Sequence, residues 1–279
     1  VANNLGWHLE QLDFATAYLQ AEIDRENFVK QPPGFQTISK ETGKPYVWKL
    51  ARSLYGLATS AKAWNQTIDQ ALKEMGWTET ASDPCLDQRG QGEQYALLVV
   101  YADDCLITSK TKEQLQQIKK ELECRFSIKH FGPARTCVGL KIERNEKLGT
   151  LSIYQTKYVR EILERFGMKK AKGVDTPMVR NQQQKEENEP LNATDIKTYQ
   201  EIVESLLYLS TYTRFDISYS TWRLARAMSG ATKWDLASAK RALRYIKGGP
   251  DLKITFVRGD FALKVYCAAS YDQTELAHK

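Results

Sequence analysis

Hydrophobic and polar positions change period several times along the chain. Residues 8–14 alternate and end in Leu12-Asp13-Phe14, which predicts a strand. Residues 15–21 favour a helix, and Gln31-Pro32-Pro33-Gly34 marks a loop. Residues 47–50 have the makeup of a short strand. Over 60–75, Ala61, Trp64, Ile68, Ala71, Leu72 and Met75 recur at helical spacing, and Gly76 supplies a stop. Two β-rich runs, 94–101 and 105–108, flank Ala102-Asp103-Asp104 and predict a hairpin with an acidic turn. A helix follows over 112–126, carried by Leu115, Ile118, Leu122 and Phe126. A second hairpin is predicted from 137–143 and 149–154, turning at 144–148, and then a helix over 157–166.

The pattern lapses over 170–192. Pro177, Pro190 and the polar run 181–189 offer too little apolar surface to order the segment, so 171–192 reads as a linker. Three helices are predicted beyond it, at 195–211, 216–228 and 233–247, and Gly248-Gly249-Pro250 stops the last. Residues 253–257 and 262–266 have strand character. No internal repeat is visible. The expected layout is an α+β part over 1–170, a helical part over 193–250, and the start of a further β-containing unit from 251 to 279.

Composition narrows the class. A chain of 279 residues has room for about two domains. With 42% hydrophobic and 27% charged residues it is neither wholly disordered, collagen-like nor a disulfide scaffold. The central apolar run 95–101 is far shorter than the roughly 20 residues of a membrane helix. The N-terminus lacks the basic and apolar regions of a secretory signal, and without an initiator Met the sequence is expected to be a piece of something longer. Five cysteines without a Cys-x-x-Cys pair favour a reduced, intracellular setting, and three isolated histidines leave a zinc site little to work with.

The net charge of +6 is unevenly spread: residues 205–264 carry 11 Lys+Arg against 4 Asp+Glu. There Lys240, Arg241, Arg244 and Lys247 share one side of a predicted helix, either as a solvated face or as a grip for a polyanion.

The candidate chemistry lies in three carboxylates. Asp13 ends a predicted strand, and Asp103 and Asp104 sit at a turn between strongly apolar strands. Acidic residues in such surroundings are unfavourable unless compensated. Two Mg²⁺ ions would compensate them and could brace an in-line phosphoryl transfer. The plainer alternative is a turn pair, since Asp is a good turn residue.

These residues resemble a known family. Tyr101-Ala102-Asp103-Asp104 is similar to the Tyr-x-Asp-Asp box of reverse transcriptases, and Leu12-Asp13-Phe14-Ala15-Thr16-Ala17-Tyr18-Leu19 to their first metal-binding box. The match is to the copia-type branch of long-terminal-repeat retrotransposons. Further segments fit it in order: Gln31-Pro32-Pro33-Gly34-Phe35, Ser53-Leu54-Tyr55-Gly56-Leu57, Ser82-Asp83-Pro84-Cys85, Gly139-Leu140-Lys141-Ile142-Glu143, Ser205-Leu206-Leu207-Tyr208-Leu209 and Ala239-Lys240-Arg241-Ala242-Leu243-Arg244-Tyr245.

The resemblance implies an α+β fold: a palm of antiparallel sheet with packed helices, a helical thumb and connection, and fingers largely missing. It implies a Pol-polyprotein RNA-directed DNA polymerase with two Mg²⁺ ions (Mn²⁺ as an alternative), an RNA template, a DNA or RNA primer, deoxynucleoside triphosphates and other Pol domains as partners. It also implies a cytoplasmic or nuclear location. Asp13, Asp103 and Asp104 would be catalytic and hold the metals, helped by the Phe14 carbonyl. Tyr18 would exclude a 2′-hydroxyl, and Tyr55, Gly56 and Ala102 would complete the nucleotide site. As plain sequence, Tyr18 reads as an ordinary core aromatic, and Gly56 could equally be a simple turn. The 137–154 hairpin matches the region that holds the primer end. Lys240, Arg241, Arg244 and Lys247 would grip backbone phosphates. Trp64, Trp222 and Trp234 are expected to pack rather than stack on bases.

The pattern also breaks. Only 12 residues precede Asp13, where the family has nucleotide-clamping fingers. Ala58 stands where Lys is usual, and Glu204 where Gly is usual. Residues 265–271 resemble the opening strand of a ribonuclease H domain, with Ala268 and Ser270 in place of aspartates, so no ribonuclease H activity is expected. The alternative reading is a decayed or domesticated retroelement remnant that binds nucleic acid without synthesis.

Overall fold

After a single helical turn, α1 (Ala2–Leu5), the first alternating run forms strand β1 (His8–Phe14) with the expected bounds. A computed structural model describes residues 1–23, 25–179 and 189–259. The predicted helix over 15–21 is a short 3₁₀ segment, Ala17–Gln20, entered through a left-handed Thr16. Strands β2 (Phe28–Lys30) and β3 (Val47–Lys49) pair as a small hairpin on which Phe28, Tyr46, Val47 and Trp48 are exposed. Helix α2 (Ser60–Glu74) follows and stops at Met75, just before the left-handed Gly76.

Six strands make the main sheet. Beyond β1 these are β4 (Thr78–Thr80), β5 (Asp83–Arg89), β6 (Ala96–Tyr101), β7 (Asp104–Ser109) and, after helix α3 (Lys112–Glu123), β8 (Ile128–Pro133). Their order is β4-β5-β6-β7-β1-β8, antiparallel throughout. Alternate side chains of a strand face opposite sides. Leu12, Phe14, Leu98, Cys105 and Ile107 therefore share the side covered by α2 and α3, where they pack with Trp64, Ile68, Leu72, Leu115, Ile118 and Leu122. The Thr111 hydroxyl caps α3 by accepting from the Gln114 N–H.

A second, four-stranded sheet joins β9 (Thr136–Cys137), β10 (Leu140–Asn145) and β11 (Thr150–Tyr154) to a strand from the far end of the described chain. Four helices then share a second core: α4 (Thr156–Arg165), α5 (Ala193–Tyr212), α6 (Ser218–Ala225) and α7 (Lys233–Gly248). Its centre is Ile162, Tyr199, Ile202, Leu206, Leu209, Leu243 and Ile246. A capping box between Thr232 and Asp235 fixes the start of α7, and the Asn192 side chain caps α5. The last strand, β12 (Ile254–Val257), returns to pair with β11.

The α+β architecture agrees with the sequence, and the differences have physical causes. β4, β5 and β8 lack an apolar alternation strong enough to be read. The predicted strand over 137–143 is broken by a tight turn at Val138-Gly139. The linker over 171–192 is described only in part, and both described flanks are docked on the helical core: the Arg244 Nε donates to the Lys172 carbonyl, and the Leu191 N–H donates to the Ala231 carbonyl. Trp222, expected to pack, is 55% exposed, with Arg226 over its ring and the exposed Tyr219 beside it. The predicted strand over 262–266, with Ala268 and Ser270, lies outside the described residues. Among the described residues Cys85, Cys105, Cys124 and Cys137 are free thiols, and no helix is long and apolar enough to cross a membrane.

Candidate active site

The three aspartates lie at one end of the main sheet, two as cross-strand partners and one in the adjoining turn. Asp13 and Asp104 are direct cross-strand partners in the β1–β7 pair. Leu12, Phe14 and Cys105 occupy the helix-covered face, so both carboxylates stand on the other face. Asp103 lies beside them in the two-residue turn between Tyr101 and Asp104, which are themselves paired. Hydrogen bonds to its carbonyls fix that turn from both sides. The Trp64 Nε1–H donates to the Ala102 carbonyl at 2.7 Å, and the Phe14 N–H donates to the Asp103 carbonyl at 2.9 Å. Trp64 thus packs, as expected, against Phe14 and Phe126, and its indole N–H also anchors the acidic turn.

Two aromatic side chains border this corner. The 3₁₀ segment brings Tyr18 against Tyr55, ring centroids 4.5 Å apart. The loop that carries Tyr55 is held by the Ser60 hydroxyl on the Leu54 carbonyl at 2.6 Å, and by the Ser53 N–H on the Ala21 carbonyl. Burial, then the charges of Asp103, Tyr18 and Asp13, raise the Tyr55 pKa above its ordinary value. Gly56 has φ +95° with open space where a Cβ would stand, so the backbone turn is what favours glycine there.

Two further groups touch the carboxylates, and neither was read from the sequence. The Lys129 Nζ, on a side chain 65% exposed, is 3.8 Å from the Asp13 Oδ2. The Val138 N–H donates to the Asp104 Oδ2 at 3.1 Å. The partners of β1 and β7 follow only from sheet order, which hydropathy does not reveal.

Backbone strain marks the same place. Among the described residues three non-glycine positions have positive φ: Thr16 at 51°, Ala102 at 52° and Val138 at 48°. Thr16 follows Asp13 by three positions, Ala102 precedes Asp103, and Val138 holds Asp104. Such conformations persist where surrounding structure over-determines them, and they concentrate at functional sites.

Among the described residues no three His, Cys, Asp or Glu side chains gather as one metal cluster. The donor set still suits a hard cation. Mg²⁺ is commonly held by one or two carboxylates, with water and substrate phosphates filling its remaining positions. Asp13 with Asp103 or Asp104 provides two carboxylates, and the Phe14 carbonyl lies next in the chain.

The basic helix is divided. Lys240 is exposed and Lys247 half-buried. Arg241 Nη2 donates to the Thr176 hydroxyl at 2.8 Å, and Arg244 takes the Lys172 carbonyl. The two arginines thus serve the segment after α4.

A family model described as reverse transcriptase (RNA-dependent DNA polymerase) matches residues 1–180. The chain belongs to that family. Within it, the relatives place the chain with the Pol proteins of copia-type retrotransposons. It is 33% identical over 275 residues to the retrovirus-related Pol polyprotein from transposon TNT 1-94 of Nicotiana tabacum, covering 96% of this chain and 20% of that protein. It is 34% identical over 272 residues to the corresponding polyprotein from transposon RE1 of Arabidopsis thaliana, covering 97% and 18%. It is 30% identical over 261 residues to a transposon Ty5-1 protein of Saccharomyces cerevisiae, covering 93% and 83%. The chain therefore spans about a fifth of the length of the two plant polyproteins.

Proposed function

We propose that this chain carries out RNA-directed DNA synthesis, joining deoxynucleoside triphosphates to a primer 3′-hydroxyl on an RNA template. Residues 1–170 would serve as the palm and 193–250 as the thumb and connection, with other Pol domains as neighbours. The observation that carries this is the cross-strand pairing of Asp13 with Asp104 beside the Asp103 turn.

Asp13, Asp103 and Asp104 would hold two Mg²⁺ ions with the Phe14 carbonyl. Bound there, the ions would supply positive charge at the primer hydroxyl and at the leaving pyrophosphate. The protein's own part is preorganisation. The Trp64 and Phe14 N–H bonds keep the acidic turn from moving as charge develops. Lys129 screens Asp13 until substrate arrives, and its exposed side chain can swing away. The Tyr18 ring, backed by Tyr55, leaves a flat wall under the incoming sugar, where a 2′-hydroxyl would collide.

Mg²⁺-dependent extension of a primed RNA template tests the proposal, with Asp103→Asn as control. Extension by the wild type and a loss of at least about a hundredfold in the variant are expected. Undiminished extension by Asp103→Asn would overturn the site. A second reading, a remnant that binds nucleic acid without synthesis, is favoured by the exposed Ala58, which leaves the Tyr55 loop without the family's lysine. Salt-sensitive binding of the primed template with no extension would select it.

A further inference from the structure

The turn that touches Asp104 is clasped from its other side by the helical core. Leu140 pairs with Cys137, so Val138-Gly139 is a two-residue hairpin loop, and both residues have positive φ. That is the type I′ pattern, whose usual first residue is Asn, Asp or Gly. A β-branched residue there is a true outlier. The main chain of Val138 is held at both ends. Its N–H donates to the Asp104 Oδ2 at 3.1 Å, and its carbonyl accepts from the Tyr208 hydroxyl of α5 at 2.9 Å. Tyr208 is itself fixed edge-on by Tyr158, with centroids 4.9 Å apart, and flanked by Tyr212 at 5.1 Å. Burial raises its pKa, so the hydroxyl keeps its proton and remains a donor. The fit is close: a Cβ added at Gly139 would meet the Tyr208 hydroxyl oxygen at 2.5 Å, while the next ring atom lies at 3.8 Å.

We propose that Tyr208 is a positioning residue for the acidic corner: through the main chain of Val138 it fixes the Asp104 carboxylate and locks α5 to the sheet that carries the chemistry. Nothing in Tyr208 reaches a reacting atom; it acts through the two peptide units that flank the Cα of Val138. The role rests on the polymerase reading, and it couples the placement of a carboxylate to the seating of the helical part. If α5 shifts, the Val138 N–H turns away from Asp104.

The close approach at Gly139 supplies the test. Tyr208→Phe, Gly139→Ala and the double variant are compared in primer extension, in primer–template affinity and in thermal melting. Tyr208→Phe is expected to lower kcat about five- to tenfold, the size of one lost neutral hydrogen bond, with KM for nucleotide and primer–template Kd within about twofold. Gly139→Ala is expected to lose more, because its methyl collides with the hydroxyl. The double variant should recover part of that loss, since removing the hydroxyl removes the collision and leaves only the backbone strain. An unchanged kcat in Tyr208→Phe overturns the positioning role. So does a loss that appears equally in affinity and melting, or strict additivity in the double variant. A wild type that does not extend primers overturns the polymerase reading itself and the positioning role with it, while the melting cycle still reports whether the clasp exists.

Discussion

At the scale of single residues, Asp87 carries a testable consequence. Its backbone pairs with Glu79 across β4–β5, and its side chain is buried. Burial first, then the charges of Glu79 and Asp69, push its pKa up to about 6, with Lys73 opposing. The folded state therefore holds a proton that the unfolded chain releases near pH 4. Stability from this group falls as pH rises from about 4 to about 6 and stays lower above. Asp87→Asn is expected to stabilise the protein at pH 8 by about 2 kcal/mol and to make little difference at pH 4. Denaturant titrations at both values check this, and an equal effect at both would refute it. Asp87 was not legible in advance because β5, Asp-Pro-Cys-Leu-Asp-Gln-Arg, shows no alternation. The places of the other aspartates were legible: Asp13 at the end of an alternating run, and Asp103 and Asp104 at a turn bracketed by apolar runs. The indole N–H of Trp64 was not, since sequence gives a bulky core residue and not the carbonyl it will find.

Elements were legible where periodicity is strong. β1, α2, α3 and the β6–β7 hairpin lie close to their predicted bounds. The β9–β10 turn was missed because Val138 looks like a strand former and only its backbone reveals otherwise. Its strained geometry yields a prediction. Val138→Asn restores the residue that a type I′ turn prefers and keeps both main-chain bonds to Asp104 and Tyr208. It is expected to raise unfolding free energy by about 1 kcal/mol without loss of primer extension. Reduced stability would mean that the Val138 side chain, and not the turn, decides the energetics. Helix α4 teaches a related point. Its amphipathic pattern announces a buried face, yet the face belongs to the core of α5–α7, a choice made by residues some forty positions later.

For the whole molecule, long-range pairing was the least legible feature. Residues 253–257 read as a strand within a unit that starts at 251; as β12 (Ile254–Val257) they pair with β11 and complete the sheet of β9–β11. The Asn3 side chain bonds to the carbonyls of Gly149 and Phe256, the Arg258 Nε donates to the Asn3 carbonyl, and Lys253 pairs with Glu143 at 2.8 Å. Without β12, the outer edge of β11 would be bare. Thr150-Leu151-Ser152-Ile153-Tyr154 contains no charge or proline to discourage another strand from adding there. A chain stopped at Pro250 is expected to self-associate in light scattering, and a monodisperse monomer would contradict this.

The same pairing imposes an order of events during synthesis. β11 ends at Tyr154 and β12 begins at Ile254, so the ribosome must add about a hundred residues before the partner exists. At roughly 5–20 residues per second, this hairpin waits some seconds with one rim unsatisfied. Nascent chains stalled between these points should be cut by protease near β11, and chains extended past residue 259 should resist.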